Sequence, residues 1–293
     1  MGQLPWGSFH GAASSGAFHG VDRGAPCPHR SGTMMHPKLR VSRDGNIATV
    51  LIDRPEKRNA MDLPMWEAMG TTFAALSADE SLRCVILRGA GDAAFCAGAD
   101  IGGFGEDYGG RDKDRRYAAG LDGALVNIRD CAHPVVAAIS GWCMGGGAGL
   151  ATVCDFRVGG EGMRFGIPAR KLGIWYPYVA LEALQAVVGY AVACELLIEG
   201  RTLDGAEALS RGLLTRCVPD GAVFEEATAL ARRIAEGAPL SNRFHKRALR
   251  SLRGPMPVPP EEIEAAGRYA ETRDFQNAVR AFMEKRSPVF EGR

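Results

Sequence analysis

The most constraining feature of this 293-residue chain is the apolar run Pro134-Val135-Val136-Ala137-Ala138-Ile139, followed by Ser140-Gly141-Trp142-Cys143-Met144 and three consecutive glycines, Gly145-Gly146-Gly147. The β-branched run reads as a buried strand, and the helical pattern resumed at Ala148-Gly149-Leu150-Ala151-Thr152-Val153 places a helix N-terminus directly after the glycines. Amides in the first turn of a helix lack intrahelical partners, and a residue without Cβ lets another atom approach the backbone. Such a corner can hold an anion or a developing oxyanion. It can equally pack as a close turn with no ligand, and the triplet alone decides neither.

The surrounding pattern alternates strand and helix. Apolar runs within Leu39–Ile52 flank Asp44-Gly45-Asn46, a hairpin signal;. The polar loop 53–61 then closes on Asp62, which can cap a helix carrying Met65, Met69, Phe73 and Leu76 on one face. Its cations, Arg54, Lys57 and Arg58, could meet phosphates or remain solvated. Cys84-Val85-Ile86-Leu87 reads as a short strand, Gly98 lies in a small-residue segment where a ligand could rest on bare backbone, and 102–116 reads as a mobile flap. A helix is expected over 117–129, and further strands at Cys154–Val158 and Met163–Gly166. Strands buried on both faces and alternating with helices indicate a largely parallel sheet in an α/β domain. From Tyr178 onward the pattern is helical over 191–197, 204–211, 223–236, 240–252 and 261–285, with a break at 255–260. No internal repeat is visible.

Three organisational units are expected: 1–33, 34–218 and 219–293. The first is rich in Gly, Ser, Ala and His without apolar periodicity, and reads as a disordered leader. Met34 and Met35 precede the first strand pattern, so a natural start there is expected; an intact mass including 1–33 would overturn that. A net charge of +1, from 35 basic and 34 acidic residues, favours neither nucleic acid nor an anionic membrane as a bulk partner;. An apolar content of 46% supports a real core, and no stretch reads as a span of about 20 apolar residues;. The eight cysteines form no Cys-x-x-Cys pair and resemble core residues of a reducing compartment, which with the lack of a signal peptide points to the cytoplasm;.

The ordered set of segments resembles the crotonase (enoyl-CoA hydratase/isomerase) superfamily. It comprises Arg54-Pro55-Glu56-Lys57-Arg58-Asn59-Ala60-Met61, Phe95-Cys96-Ala97-Gly98-Ala99-Asp100-Ile101, Pro134 to Gly147, Cys154-Asp155-Phe156-Arg157, Phe165-Gly166-Ile167-Pro168 and Lys171-Leu172-Gly173-Ile174. Gly200-Arg201, Glu207-Ala208-Leu209, Gly212-Leu213-Leu214 and Phe282-Met283-Glu284-Lys285-Arg286 complete it. The resemblance implies an α/β spiral of ββα units with a helical C-terminal trimerisation region, a homotrimer or a hexamer of paired trimers, and an acyl-CoA thioester ligand. Coenzyme A would be part of the substrate, with no separate cofactor and no metal. By position, the amides of Ala99 and Gly146 would form the oxyanion hole that stabilises a thioester enolate. Lys57, Ala60, Ala97, Asp100 and Ile101 would line the CoA path, and Lys285 would reach the CoA phosphates of a neighbouring subunit.

The departures narrow the chemistry. Where family hydratases place two glutamates that orient and relay protons of water, this chain has Gly149 and Ala169, neither of which has a side chain able to exchange a proton. An aspartate used by some family isomerases and dehalogenases falls at Pro177. The segment is instead aromatic, Trp175-Tyr176-Pro177-Tyr178, with Tyr176 matching a tyrosine of the methylmalonyl-CoA decarboxylase branch, whose histidine near the position of Ala99 is absent here. A phenol can orient a carboxylate or donate a proton, or the aromatics can simply wall the acyl pocket. Glu106, Asp107 and Glu182 are the other acids of interest, and His133 reads as structural. Three functions follow: an enoyl-CoA hydratase/isomerase-like enzyme with non-standard proton transfer, a decarboxylase or other thioester-processing enzyme using Tyr176, and a non-catalytic acyl-CoA binding or regulatory protein.

Overall fold

The computed structural model describes residues 36–100, 111–253 and 272–293. The leader, Ile101, the flap positions 102–110 with Glu106 and Asp107, and the break at 255–260 therefore lie outside the described residues.

The hairpin forms as expected. β1 (Leu39–Asp44) pairs antiparallel with β2 (Ile47–Ile52), and Gly45 supplies the turn's positive φ of 58°;. After the loop at 53–61, Asp62 accepts from the Met65 amide and starts α1 (Leu63–Ala78). Three successive turns then repeat one unit, a strand in each of two sheets followed by a helix. They are β3 (Cys84–Gly89), β4 (Ala94–Cys96) and α2 (Arg111–Arg129); β5 (Val135–Ile139), β6 (Trp142–Met144) and α3 (Gly146–Val153); and β7 (Phe156–Gly160), β8 (Arg164–Gly166) and α4 (Ala169–Leu172). Helix α2 thus begins at Arg111, so 111–116 is helical where the sequence suggested irregular chain. The repeat leaves no trace as a sequence repeat because what recurs is backbone geometry, while each turn uses different side chains.

The first sheet has the order β1-β2-β3-β5-β7-β10, parallel from β2 onward and closed by β10 (Arg216–Val218). The second is β4-β6-β8-β9, with β9 (Thr202–Leu203) antiparallel to β8. After α4 come α5 (Tyr178–Cys194), α6 (Gly205–Ser210), α7 (Val223–Ala235), α8 (Pro239–Ser251) and α9 (Arg273–Met283). One face of the large sheet packs with α1, α2 and α3 around Trp66, Phe73, Leu87 and Ile139; the other is covered by α7, where Val223, Ala227 and Leu230 meet Ile86, Val136 and Val158. Five cysteines, at 84, 96, 131, 143 and 154, are buried and unpaired. Burial lifts the Cys96 and Cys154 thiols to about 12, which suits core residues and excludes nucleophiles;.

One helical run bears on the reading that no apolar stretch has the length of a membrane span. The helical run Tyr178–Glu199 is long and apolar enough to cross a bilayer by length and composition. Its regular α-helical geometry breaks at Gly189, where φ is 76°, and Ala180, Ala183 and Leu184 belong to the protein core.

Candidate active site

The glycine corner is where β6 hands over to α3. Gly145 caps the helix with φ of 52°, and its amide donates to the Gly166 carbonyl of β8, 2.9 Å away. The segment after β4 runs directly beneath. A Cβ on Gly98 would lie 2.8 Å from the Met144 carbonyl oxygen and 3.0 Å from the Gly146 nitrogen, and one on Gly147 would lie 2.2 Å from the Cys96 carbonyl oxygen. Two backbones can cross this closely only because both lack side chains at the contact.

The crossing fixes two peptide planes. The Gly98 carbonyl accepts from the Met61 amide at 2.8 Å, and the Gly145 carbonyl accepts from the Gly149 amide at 3.1 Å and from the Tyr176 hydroxyl at 2.9 Å. In a trans peptide the N–H points opposite to the C=O. The amides of Ala99 and Gly146, at the far ends of those two peptides, are thereby turned the other way, and both residues line one cavity of about 250 Å³. Gly146 is also the first residue of α3, whose N-terminal partial charge favours a negative oxygen;.

Apart from the Asp122 carboxyl the cavity lining is mostly apolar or aromatic, with Trp66, Tyr117, Leu121, Leu125, Ile174 and Trp175 among its walls. Trp66 is fully buried, its indole N–H donates to the Tyr117 hydroxyl at 3.0 Å, and its ring lies 3.0 Å from where a Cβ on Gly146 would sit. Gly149 and Ala169 both line the same cavity, and neither position presents a proton-exchanging side chain to it;. The space is partly filled: a Cβ on Gly149 would meet the Tyr176 hydroxyl at 3.1 Å and Leu125 at 3.4 Å.

Tyr176 therefore reaches the site, but its hydroxyl proton is given to a main-chain carbonyl, and burial raises its pKa far above the ordinary phenol value;. Trp175 lines the mouth while 94% exposed, and Tyr178 stands exposed at the start of α5, outside the lining. Ala97 lines the cavity, whereas Ala60 is buried in the loop at 53–61 and is not part of the lining. Asp100 is bound to Arg54 by an ion pair of 2.7 Å, and Arg54 also contacts Asp62 at 3.5 Å. Lys57 is exposed on that loop, and Lys285 is exposed just beyond α9, with φ of 54°. Glu182 faces elsewhere, paired with Arg129 at 3.3 Å.

Glu182 belongs to a larger hollow, about 590 Å³, lined from α2, α5, α7 and α8. Its carboxylates are all paired: Lys246 meets Asp155 at 2.6 Å, and Arg250 lies 3.4 Å from Asp130 and 3.5 Å from Asp155, while Arg157 and Arg253 leave the lining net positive. The smaller cavity is the one that Ala99, Gly146 and the glycine corner line. Trp66, Tyr117 and Asp122 are among the lining residues that carried no motif. The one signal for the last two is helical spacing, since 117, 118, 121, 122 and 125 form one stripe of α2.

Residues 42–293 match the family model described as enoyl-CoA hydratase/isomerase. The chain is 33% identical over 263 residues to an enoyl-CoA hydratase of Mycobacterium tuberculosis, covering 88% of this chain and 97% of that protein. It is also 33% identical over 271 residues to a carnitinyl-CoA dehydratase of Salmonella typhi, covering 88% of this chain and all of the relative. A crystal structure of an enoyl-CoA hydratase/carnithine racemase from Magnetospirillum magneticum superimposes with a TM-score of 0.85 at 41% identity, covering 88% of this chain and 97% of that one.

Proposed function

The chain belongs to the enoyl-CoA hydratase/isomerase family, and from that membership and the site geometry we propose that it is an acyl-CoA enzyme holding a thioester enolate between the Ala99 and Gly146 amides, without the hydratase glutamate pair. The observation that carries this reading is the pair of peptides whose carbonyls are pinned by Met61, Gly149 and Tyr176, leaving both N–H groups to one cavity. Donors fixed before the reaction stabilise charge as it develops on the thioester oxygen, the largest electrostatic effect such a site can exert. The apolar walls suit an uncharged acyl group. Lys57, Ala97 and Asp100 are assigned to the CoA path by the resemblance, as are Ala60, Ile101 and the neighbouring subunit's contribution through Lys285. Assembly as a homotrimer or a pair of trimers is supported by exposed apolar side chains on α5, α8 and α9, among them Tyr190, Leu249 and Met283;.

A decarboxylase using Tyr176 fits less well. No cationic side chain lines the cavity among the described residues, and the Tyr176 proton already has an acceptor. Calorimetric titration with butyryl-CoA and with free CoA, alongside product analysis of crotonyl-CoA and methylmalonyl-CoA, tests the proposal. Butyryl-CoA is expected to bind more tightly than CoA, and crotonyl-CoA hydration to fall well below the ~10 per second of a median enzyme. Failure to bind any acyl-CoA would overturn the reading, and binding without any proton exchange would leave the non-catalytic alternative.

A further inference from the structure

The acyl cavity has one carboxyl in its lining among the described residues, that of Asp122. It stands on the α2 stripe formed by Tyr117, Ala118, Leu121 and Leu125, which turns toward the cavity. Leu125, one turn further on, reaches within 3.4 Å of a Cβ position on Gly149, so this stripe forms the wall facing the glycine corner. Asp122 makes no hydrogen bond or ion pair with the described residues, in contrast to Asp62, Asp100 and Asp155. Partial burial raises its pKa above the usual aspartate value;. The other titratable groups of the lining are the Tyr117 and Tyr176 phenols, and no charged side chain from α1, α3 or the 168–180 segment faces it there. It remains exposed at the mouth, where its proton can exchange with water.

We propose that Asp122 is the proton-transfer group of this site, acting on a saturated or β,γ-unsaturated acyl-CoA in α-proton exchange or double-bond shift. The inference rests on the reading of the cavity as a thioester site. The Asp122 carboxylate takes an α-hydrogen as a proton; the C–H electron pair becomes the C=C bond of the enolate, and the negative charge moves to the thioester oxygen facing Ala99 and Gly146. Return of the proton to the α-carbon restores the starting thioester. Return to the γ-carbon of a 3-enoyl chain gives the 2-enoyl product, with no oxidant, reductant or water consumed. Hydration would need a second group to activate water, and Gly149 and Ala169 supply none.

The test follows deuterium entry into butyryl-CoA in D₂O by mass spectrometry, and conversion of 3-butenoyl-CoA to crotonyl-CoA, with thioester affinity measured separately by calorimetry. Asp122→Asn is expected to lower both rates by ~100-fold or more while changing affinity less than about threefold. The wild-type rate should rise with pH through a carboxylate ionisation that is absent in Asp122→Asn and displaced in a partly active Asp122→Glu. The thermal stability of Asp122→Asn near neutral pH should equal or exceed wild type, because the fold disfavours this charge. Unchanged exchange in Asp122→Asn would overturn the proposal, as would a loss of affinity matching the loss of rate. Wild-type binding without exchange overturns it and leaves the thioester site standing; absence of wild-type binding overturns the thioester site itself.

Discussion

At the scale of single residues, Tyr176 and Gly149 explain each other. The Tyr176 hydroxyl occupies the room a side chain at 149 would need and spends its proton on the Gly145 carbonyl, which orients the peptide whose other end is the Gly146 amide. Tyr176 is on this geometry a positioning residue. Tyr176→Phe should leave butyryl-CoA affinity nearly unchanged and lower the exchange rate, because one of two hydrogen bonds holding that peptide is gone; equal rates would reduce the tyrosine to a wall. Gly149→Glu should destabilise by about 1–3 kcal/mol through overpacking against Tyr176 and Leu125, and should not raise crotonyl-CoA hydration. A folded Gly149→Glu protein with hydratase turnover and no stability loss, measured by urea denaturation, would contradict the steric account.

At the scale of elements, the loop at 53–61 holds the Gly98–Ala99 peptide, one of the two proposed donors to the thioester oxygen. Asn59 is buried at φ 57°, its amide nitrogen donates to the carbonyls of Ala90 and Ala94 at 3.1 and 2.7 Å, and its oxygen accepts from the Arg54 amide at 3.1 Å. Two residues later Met61 pins Gly98. Asn59→Ala should therefore cost about 3 kcal/mol, from lost bonds, stranded acceptors and a left-handed residue, and weaken thioester binding as well; a cost below about 0.5 kcal/mol would contradict this. The turns and caps of this region were legible in the sequence because they rest on local chemistry: Asp44-Gly45-Asn46, the Asp62 cap and the glycine triplet each announce a backbone conformation. The parallel order of β2, β3, β5 and β7 was legible only as a class, and the ββα repeat only through the family resemblance and not from periodicity, since register is set by contacts distant in sequence. The same limit hid Trp66 and Asp122, which reach the site from helices whose own patterns look like ordinary core and surface.

At the scale of the whole molecule, stability and site can be separated by pH. His133 is buried between α1 and the start of β5, and desolvation first, then the Arg243 charge, lower its pKa from 6.5 to about 4. The folded state holds it neutral, so its contribution is fully present above pH 6.5 and is lost as pH falls from 6.5 toward 4, by roughly 3 kcal/mol in all. His133→Gln should flatten the dependence of the urea midpoint over that window; an unchanged slope would place the acid sensitivity elsewhere. The central claim concerns the two amides at the glycine corner, and isotope-edited infrared spectroscopy of butyryl-CoA labelled with ¹³C at the thioester carbonyl reads them directly. The account predicts a carbonyl band moved to lower frequency on binding, as donors from Ala99 and Gly146 polarise the bond, with a smaller displacement in Tyr176→Phe. A bound thioester whose carbonyl band stays at its solution frequency would contradict it.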